Sequence, residues 1–202
     1  YFTPAQKSAK LVFSSVNFKL RVWAINYAQA LYLSNMTTMK DIEINIRTEL
    51  KPGDIGYLIH MHGRIYADEC GYNHIFEGYV CKTFYEFLND YDPVKDCFWL
   101  AEINGAMIGA IVVVNRGADK AQLRWFIVHP QYRRLGLGRR LFKSSIEFCR
   151  QNGYREVYLE TTAEQQTAIK MYEKAGFKKI DERINPTWGK ILVEQTYVMQ
   201  ID

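Results

Sequence analysis

The chain has 202 residues, of which 48% are hydrophobic and 24% charged, and its formal net charge is +4. This length suits one medium domain with its own core, and the composition is that of an ordinary soluble globular protein. The modest charge argues against a nucleic-acid-binding protein, which usually carries a strongly basic stripe.

The first 40 residues differ in pattern from the rest of the chain. Thr3 followed by Pro4 is typical of a helix start, so we predict one or two helices there, followed by a linker. The alternating pattern of the remaining chain begins only at Ile42. We therefore divide the sequence into a helical extension of unknown function over residues 1–40 and a domain over residues 41–202.

Within that domain, strand and helix patterns follow one another in a mixed α/β order. "KPGD" predicts a turn whose Asp54 caps the next helix, and Asn104-Gly105 between two apolar runs predicts a tight hairpin. The predicted strands cover residues 42–50, 98–103, 106–114, 122–128, 155–162, 177–184 and 190–201. The predicted helices cover 55–72, 74–91, a segment ending near Asn152-Gly153, and 164–176.

The cysteines are widely spaced and form no C-x-x-C pair, so no zinc site or redox motif is predicted. We expect mostly buried, reduced thiols and therefore a reducing compartment, the cytoplasm. The most apolar early run, from Val22 to Leu33, is too short to span a bilayer, and we predict no membrane interaction. The four cysteines are Cys70, Cys81, Cys97 and Cys149.

A glycine-containing loop with four arginines follows the strand that ends at Val128. The pattern Arg133-x-x-Gly136-x-Gly138 leads into a helix, whose first N–H groups lack internal partners and whose dipole is positive at that end. Such a loop can bind phosphates, although a tight turn with solvated arginines explains the same residues. The spacing matches neither the dinucleotide fingerprint nor a P-loop.

A second motif, "QQTAIKMYEKAGF", places apolar residues and Tyr172 on one helical face. Tyr172 is either a core aromatic or a proton donor in a cleft. The order of strand, "RRLGLG", helix, strand "VYLETT" and helix "AIKMYEKAGF" resembles the GNAT superfamily of N-acetyltransferases over roughly residues 42–202. The other residues on the predicted apolar face are Ala168, Met171 and Ala175.

The resemblance implies a mixed, mostly antiparallel twisted sheet that splays open between its fourth and fifth strands. It implies acetyl-CoA in that gap as cosubstrate, with no metal, and with the pyrophosphate on the amides of residues 134–139. It also implies a catalytic tyrosine at Tyr172. By the same resemblance, coenzyme A contacts fall on Ile127, Val128, Arg133, Arg134, Leu135, Gly136, Leu137, Gly138, Arg139 and Gln165.

The base that accepts the amine proton is less defined by the sequence. Some GNAT enzymes carry a glutamate on the fourth strand, but the aligned position is Gln122. Glu160 stands twelve residues before Tyr172. The ribosomal-protein alanine acetyltransferases have a glutamate at the same distance before their own tyrosine. A surface carboxylate at Glu160, His129 as the base, and a water chain remain alternatives.

The acceptor is expected to contact the two early helices and the "NPTWG" loop, which border the cleft in this family. The resemblance favours a small amine or a peptide α-amine, with protein lysine acetylation or a non-catalytic coenzyme A module as alternatives. It predicts no nucleic acid partner for this domain and leaves homodimerisation open. Candidate contacts, which an ordinary helix surface also explains, are His60, His62, Arg64, Tyr66, Asp68 and Glu69.

Overall fold

The computed structural model describes residues 43–201. The predicted extension over residues 1–40 lies outside the described residues. The strands are β1 (Asn45–Arg47), β2 (Cys97–Ile103), β3 (Ala106–Asn115), β4 (Lys120–Val128), β5 (Glu156–Thr162), β6 (Lys178–Asn185) and β7 (Leu192–Gln200). The helices are α1 (Asp54–Cys70), α2 (His74–Asn89), α3 (Leu137–Gln151) and α4 (Gln166–Lys174), with a 3₁₀ turn at Pro130–Tyr132.

The strands form one seven-stranded sheet in the order β1-β2-β3-β4-β5-β7-β6. Every neighbouring pair is antiparallel except β4 and β5, which run parallel. The predicted hairpin joins β2 to β3, and its Asn104 and Gly105 both have positive φ, at 50° and 80°. Those angles belong to the primed turn that matches strand twist, so the hairpin prediction is confirmed.

The sheet opens between β4 and β5, as predicted from the family resemblance. The two strands pair only from Lys120–Leu123 with Glu156–Leu159, and both then continue without pairing to each other. A β-bulge lies just beyond this point, because two β4 residues, Trp125 and Phe126, stand opposite Ile111 alone. Trp125 takes the left-handed conformation, with φ 47°. A bulge bends its strand, which accounts for β4 leaving β5 here.

Each face of the sheet carries its own core. α3 and α4 cover one face, and α1 and α2 cover the other. β3 shows the alternation directly, since Ile111 and Val113 pack with α3 while Val112 and Val114 pack with α1 and α2. Ala175, predicted on the apolar face of α4, is instead exposed, because it lies just beyond the end of that helix.

Asp54 does not cap α1 as predicted, because the helix starts one residue earlier than expected. Gly53 is the N-cap, and Asp54 is the first helical residue. The Asp54 carboxylate accepts hydrogen bonds from Arg47 at 2.6 and 2.8 Å and from the Lys51 backbone N–H at 2.6 Å. Arg47 also donates to Glu102 at 2.8 Å. This charged network ties β1 to β2 and to the start of α1.

The cysteines are less buried than predicted. Cys149 is fully buried, Cys70 and Cys97 are half-buried, and Cys81 is exposed on α2. Within residues 43–201, no helix has the length and apolar character needed to cross a membrane. The same part of the chain holds no cluster of three metal-ligating side chains.

Candidate active site

The glycine loop presents backbone N–H groups at the start of α3. Arg134 and Gly136 have positive φ, at 65° and 81°, and α3 begins at the next residue, Leu137. None of the N–H groups of residues 134–139 donates to an acceptor within residues 43–201. Amides free of internal partners at a helix N-terminus form a ready anion site.

The two glycines of the loop differ in backbone conformation. At Gly136 a side chain would meet nothing within 4 Å, but the positive φ strains any residue with a Cβ. Gly138 has ordinary φ, and an added Cβ would lie 3.6 Å from the Phe126 ring. The loop conformation therefore requires glycine at position 136, whereas position 138 has room for a methyl group.

The arginines around the loop are not equivalent. Arg133 donates to the Val128 carbonyl at 3.0 Å and forms a bidentate ion pair with Glu69 of α1 at 2.8 and 2.9 Å. Arg134 and Arg139 are exposed and have no ion-pair partner in the described chain. Arg133 therefore braces α1 against the end of β4, and Arg134 and Arg139 are the guanidinium groups available to an anion.

The end of β4 leads into this loop. Ile127 is buried and Val128 half-buried, and the next residue, His129, donates its backbone N–H to Ile108 at 2.8 Å. The His129 ring lies 5.7 Å from that of Tyr132, and its Nδ1 atom is buried with no partner in the described part of the chain. Leu135 is half-buried and Leu137 is buried.

A cavity of about 160 Å³ occupies the opening between β4 and β5. It brings together the predicted catalytic residues Tyr172 and Glu160 with Gln122 and Gln165. The loop residues 133–139 do not line it, so the candidate anion site and the cavity are separate. The remaining lining residues are His62, Tyr66, Tyr72, Phe76, Tyr79, Val80, Leu123, Arg124, Trp125, Phe126, Leu159, Thr161, Thr162, Ala168, Arg183, Trp188 and Glu194.

Tyr172 is buried at 6% exposure and still lines the cavity. Its ring lies 5.8 Å from Phe142, 6.0 Å from Phe177 and 6.5 Å from Phe126. Its hydroxyl has no hydrogen-bond partner among residues 43–201. Burial, together with nearby Tyr66, raises the pKa of Tyr172 above its ordinary value. The side chain is therefore a neutral hydroxyl donor at physiological pH.

Glu160 reaches across the opening from β5 to β4. Its Oε2 atom accepts a hydrogen bond from Gln122 Nε2 at 3.2 Å, and Arg183 lies 3.7 Å from its Oε1 atom. Gln122 is itself fixed, because Arg116 donates to its Oε1 atom at 2.7 and 2.9 Å. The glutamine at the fourth-strand position thus holds the carboxylate that the fifth strand supplies.

Gln165 lies at the N-cap of α4 and donates to the Cys70 sulfur at 3.3 Å. This contact joins α4 to the end of α1 beside the cavity. The predicted amide is therefore present at the cavity wall, although its nearest partner in the chain is a thiol.

The early helices contribute to the cavity as expected, but through only some of their polar residues. His62 and Tyr66 line it, whereas His60 is exposed on another side of α1. Arg64 and Asp68 pair with each other on the surface at 3.0 Å. His62 is buried, and its Nδ1 donates to the Leu58 carbonyl at 2.8 Å. Burial chiefly, with the nearby Arg124 charge, lowers the pKa of His62 to about 4, so it is neutral at pH 7.

Sequence reasoning missed several cavity residues. The Tyr72 hydroxyl donates to Glu164 at 3.1 Å and forms a second hydrogen bond with the Thr162 hydroxyl at 3.0 Å, which closes one end of the cavity. Trp188, from the "NPTWG" loop, packs on Tyr72 with ring centroids 5.4 Å apart. Arg124 lies on β4 beside the bulge. The "NPTWG" loop was predicted to border the cleft, so the sequence did point to the segment that carries Trp188. Nothing in the local pattern around Arg124 or Tyr72 indicates a cavity.

Comparisons with known proteins identify relatives for this arrangement. The family model described as "Acetyltransferase (GNAT) family" matches residues 63–177. The chain is 38% identical over 93 residues to the probable N-acetyltransferase camello of Xenopus tropicalis. This alignment covers 45% of this chain and 42% of that protein. It is 35% identical over 91 residues to the N-acetylaspartate synthetase of Danio rerio, covering 45% and 32%. The chain thus spans less than half the length of these relatives.

A solved structure shares the fold at low sequence identity. The GNAT family acetyltransferase from Elizabethkingia anophelis, crystallised with acetyl-CoA bound, superposes with a TM-score of 0.57 at 16% identity. The match covers 78% of this chain and 98% of that one. The architecture described above, including the open sheet, is therefore that of a known fold.

Proposed function

This chain belongs to the GNAT acetyltransferase family, and from that premise we propose that it is an acetyl-CoA-dependent N-acetyltransferase. We further propose that it transfers the acetyl group directly to the primary amine of a small molecule or peptide. The observation that carries the proposal is the cavity between β4 and β5, which Tyr172 and Glu160 line together. These groups suit the two proton movements that amide formation from an amine and a thioester requires.

The residues of the loop fit coenzyme A. The N–H groups of residues 134–139, which have no acceptor within residues 43–201, suit a pyrophosphate, and Arg134 and Arg139 supply positive charge that no described carboxylate pairs with. Ile127 and Val128 at the end of β4 would hold the pantetheine arm, since β4 has no neighbour beyond Leu123 on its β5 side. When bound, acetyl-CoA supplies an activated acetyl group and a thiol leaving group.

Tyr172 is the proposed donor toward the leaving sulfur. Since burial raises its pKa well above the value near 8.5 of a thiol, complete proton transfer from Tyr172 to a thiolate is uphill. A neutral hydroxyl can nevertheless donate a strong hydrogen bond to negative charge that develops on sulfur. We therefore assign Tyr172 to stabilising that charge, with the proton arriving finally from solvent.

Glu160 is the proposed acceptor of the amine proton, directly or through water. The hydrogen bond from Gln122 fixes one carboxylate oxygen, and the other oxygen faces Arg183 at 3.7 Å. About 40% of the Glu160 side chain is exposed, which leaves room for an incoming amine or water. His129 lies outside the cavity lining and is less suited to this role.

The acceptor that demands least of this base is an amine of low pKa. At pH 7 an α-amine with a pKa near 8 is about one-tenth neutral, whereas a lysine amine near 10.4 is neutral only about once in a few thousand. An α-amine therefore needs less help from a base at pH 7 than a lysine amine does. This favours α-amines over lysine side chains.

The test is a screen in which the protein is incubated with acetyl-CoA and one amine at a time. Activity is measured as free thiol released from acetyl-CoA, and the product is identified by mass spectrometry. We expect release of one thiol per N-acetylated amine for at least one α-amine. Incubation with acetyl-CoA alone should leave the protein mass unchanged, because direct transfer forms no acetyl-enzyme. Tight acetyl-CoA binding without turnover across the screen would instead favour a coenzyme A-binding module.

A further inference from the structure

Arg124 occupies an unusual position in the cavity wall. It is half-buried on β4, directly before the bulge residue Trp125, and its guanidinium carbon lies 4.9 Å above the Trp125 ring. Its Nη2 atom lies 3.3 Å from the Tyr79 hydroxyl, to which it donates. Tyr79 lines the cavity, so these two contacts hold the guanidinium in the cavity wall.

Arg124 lacks the partner that the other arginine of the cavity has. Arg183 pairs with Glu194 at 2.6 Å and faces Glu160 at 3.7 Å, so its charge is compensated. Within residues 43–201, no carboxylate lies within ion-pair distance of Arg124, even though Glu86 and Asp90 line a second cavity that Arg124 also borders. An arginine with free donors beside a cavity that is partly open to solvent is suited to bind a carboxylate.

His62, a neighbour of Arg124, adds no second positive charge beside it. His62 is neutral at pH 7, because burial lowers its pKa to about 4, and its Nδ1 is committed to Leu58. The cavity therefore offers positive charge at Arg124 and negative charge at Glu160. Gln122, which holds Glu160, is two residues before Arg124, and residues at that spacing on a strand face the same side about 7 Å apart.

Aromatic rings enclose the remaining space. Trp188 lies 4.9 Å from Phe76, 5.2 Å from Tyr79 and 5.4 Å from Tyr72, and Tyr66 lies 4.8 Å from Phe76. The cavity volume of about 160 Å³ is close to the roughly 150 Å³ that accommodates a benzene molecule in an engineered protein cavity. The wall therefore suits one ring-sized or similarly large apolar group.

We propose that Arg124 binds the carboxylate of the acceptor, so that the acceptor is a free α-amino acid with an aromatic or large apolar side chain. This rests on the proposed acetyltransferase function. The amine then faces Glu160, the carboxylate faces Arg124, and the side chain packs on Trp188 and its aromatic neighbours. A peptide amine is disfavoured, because its α-carboxyl group is an uncharged amide.

The first experiment compares L-phenylalanine with L-phenylalaninamide and phenethylamine, which lack the carboxylate. We expect kcat/KM for L-phenylalanine to exceed that for either analogue roughly 10- to 100-fold, as expected for a hydrogen-bonded charged group. The amide has the less basic amine, so deprotonation alone would favour it. Equal or better turnover of the amide than of the acid would overturn the proposal.

The second experiment uses Arg124→Gln and Arg124→Lys. Arg124→Gln should lower kcat/KM for L-phenylalanine roughly 10- to 100-fold, mainly through KM, and leave phenethylamine unchanged. Arg124→Lys, which keeps the charge without the planar fork, should be intermediate. Arg155→Gln is the matched control, because Arg155 is 82% exposed and far from the cavity lining. Equal loss with all amines would show that Arg124 supports the fold rather than the carboxylate.

A binding measurement separates failure of this proposal from failure of the proposed function. Tryptophan fluorescence reports on the cavity, because Trp125 and Trp188 line it. 3-Phenylpropionate should bind at least about tenfold more tightly than 3-phenylpropanamide, and Arg124→Gln should abolish that difference. This outcome would support the Arg124 site even if no amine were acetylated. No preference for the acid would refute the Arg124 site, whether or not amines are acetylated.

Discussion

At the scale of single residues, Tyr172 and Glu160 differ in how they are held. Tyr172 is fixed by aromatic packing and keeps a free hydroxyl, whereas Glu160 is fixed by the hydrogen bond from Gln122. The first arrangement suits donation to a developing charge, and the second suits acceptance of a proton at one defined oxygen. The two substitutions below therefore remove different steps.

Tyr172→Phe removes the hydroxyl and keeps the ring that packs against Phe142 and Phe177. We expect kcat to fall about 10²-fold or more, with acetyl-CoA affinity little changed, because the lost hydrogen bond acts on charge in the transition state. Steady-state kinetics and calorimetry measure the two effects. Tyr197→Phe is the control, since Tyr197 is equally buried but lies outside the cavity lining. Full activity of Tyr172→Phe would make Tyr172 a core aromatic only.

Glu160→Gln removes the proposed base and keeps the shape of the side chain. We expect the largest loss of activity at low pH and a smaller loss as rising pH deprotonates the amine in solution. The measurement is the pH–rate profile with one good acceptor. Glu182→Gln, on the exposed strand β6, should leave the profile unchanged. A wild-type profile for Glu160→Gln would transfer the base role to water or to His129.

At the scale of elements, two local structures position the site. The loop before α3 presents free amides because Arg134 and Gly136 adopt positive φ. The Arg47 network fixes the start of α1, and α1 carries His62 and Tyr66 to the cavity. In the proposed function, the first structure binds the phosphates of coenzyme A, and the second holds the wall that faces the acceptor in place.

Gly136→Asp places a side chain and a negative charge at the start of α3. We expect acetyl-CoA affinity to fall at least about tenfold by calorimetry, since the charge repels phosphate at the helix terminus. Gly153→Asp is the matched control, because Gly153 also has positive φ, at 75°, and open space around it. The two variants should lose similar stability. Equal acetyl-CoA affinity in folded Gly136→Asp and Gly153→Asp would contradict the assignment of the loop.

Arg47→Met breaks the network that holds α1. The side chains of Arg47, Asp54 and Glu102 are only 11–14% exposed, so the substitution leaves carboxylates without their partner. We expect the free energy of unfolding to fall by about 2 kcal/mol at pH 7 in urea titrations. Arg155→Met, at an exposed position, should change it by less than about 0.5 kcal/mol.

The loss of unfolding free energy in Arg47→Met should depend on pH. Burial by itself would raise the pKa of Asp54, but the hydrogen bonds from Arg47 and from the Lys51 N–H outweigh it and hold that pKa below 3.8. A carboxyl with a lowered pKa in the folded state contributes stability above its unfolded pKa, and the contribution disappears as pH falls through the folded value. The deficit of Arg47→Met should therefore shrink as pH is lowered below about 4. A constant deficit from pH 7 to pH 2.5 would argue against the ion pair as its cause.

At the scale of the whole molecule, the open sheet decides where chemistry can occur. The bulge at Trp125 turns β4 away from β5, and the space that results receives residues from α1, α2, α4 and the loop before β7. Among residues 43–201, both cores on the two faces of the sheet are built by residues between Ile44 and Ile201. The described residues thus supply the cavity lining and a core on each face of the sheet.

A chain that starts at Met39 should therefore bind acetyl-CoA as tightly as the full chain. Its residues include both cores, the glycine loop and the cavity lining. Calorimetry gives the affinity, and circular dichroism checks that the shorter chain is folded. Loss of binding by a folded, soluble truncation would show that residues 1–38 help to build the site.

Features that depend on neighbouring residues could be predicted from the amino-acid sequence. Asn104-Gly105 predicted the hairpin through turn chemistry, and Arg133-x-x-Gly136-x-Gly138 predicted a loop before a helix. The order of elements followed from periodicity, which is local, and the two motifs in that order indicated the family. The family resemblance implied the catalytic roles of Tyr172 and Glu160, and those roles stay predictions.

Contacts between charged and aromatic groups of distant segments could not be predicted, because tertiary packing sets them. Arg133 and Arg124 are both arginines near one strand, yet Arg133 pairs with Glu69, 64 residues away, and Arg124 has no carboxylate partner in the described chain. Trp188 and Tyr72 lie far apart in sequence and form one wall of the cavity. Pairing and enclosure depend on distances between segments that chain order does not fix, because they are set by how the bulged sheet and its helices pack.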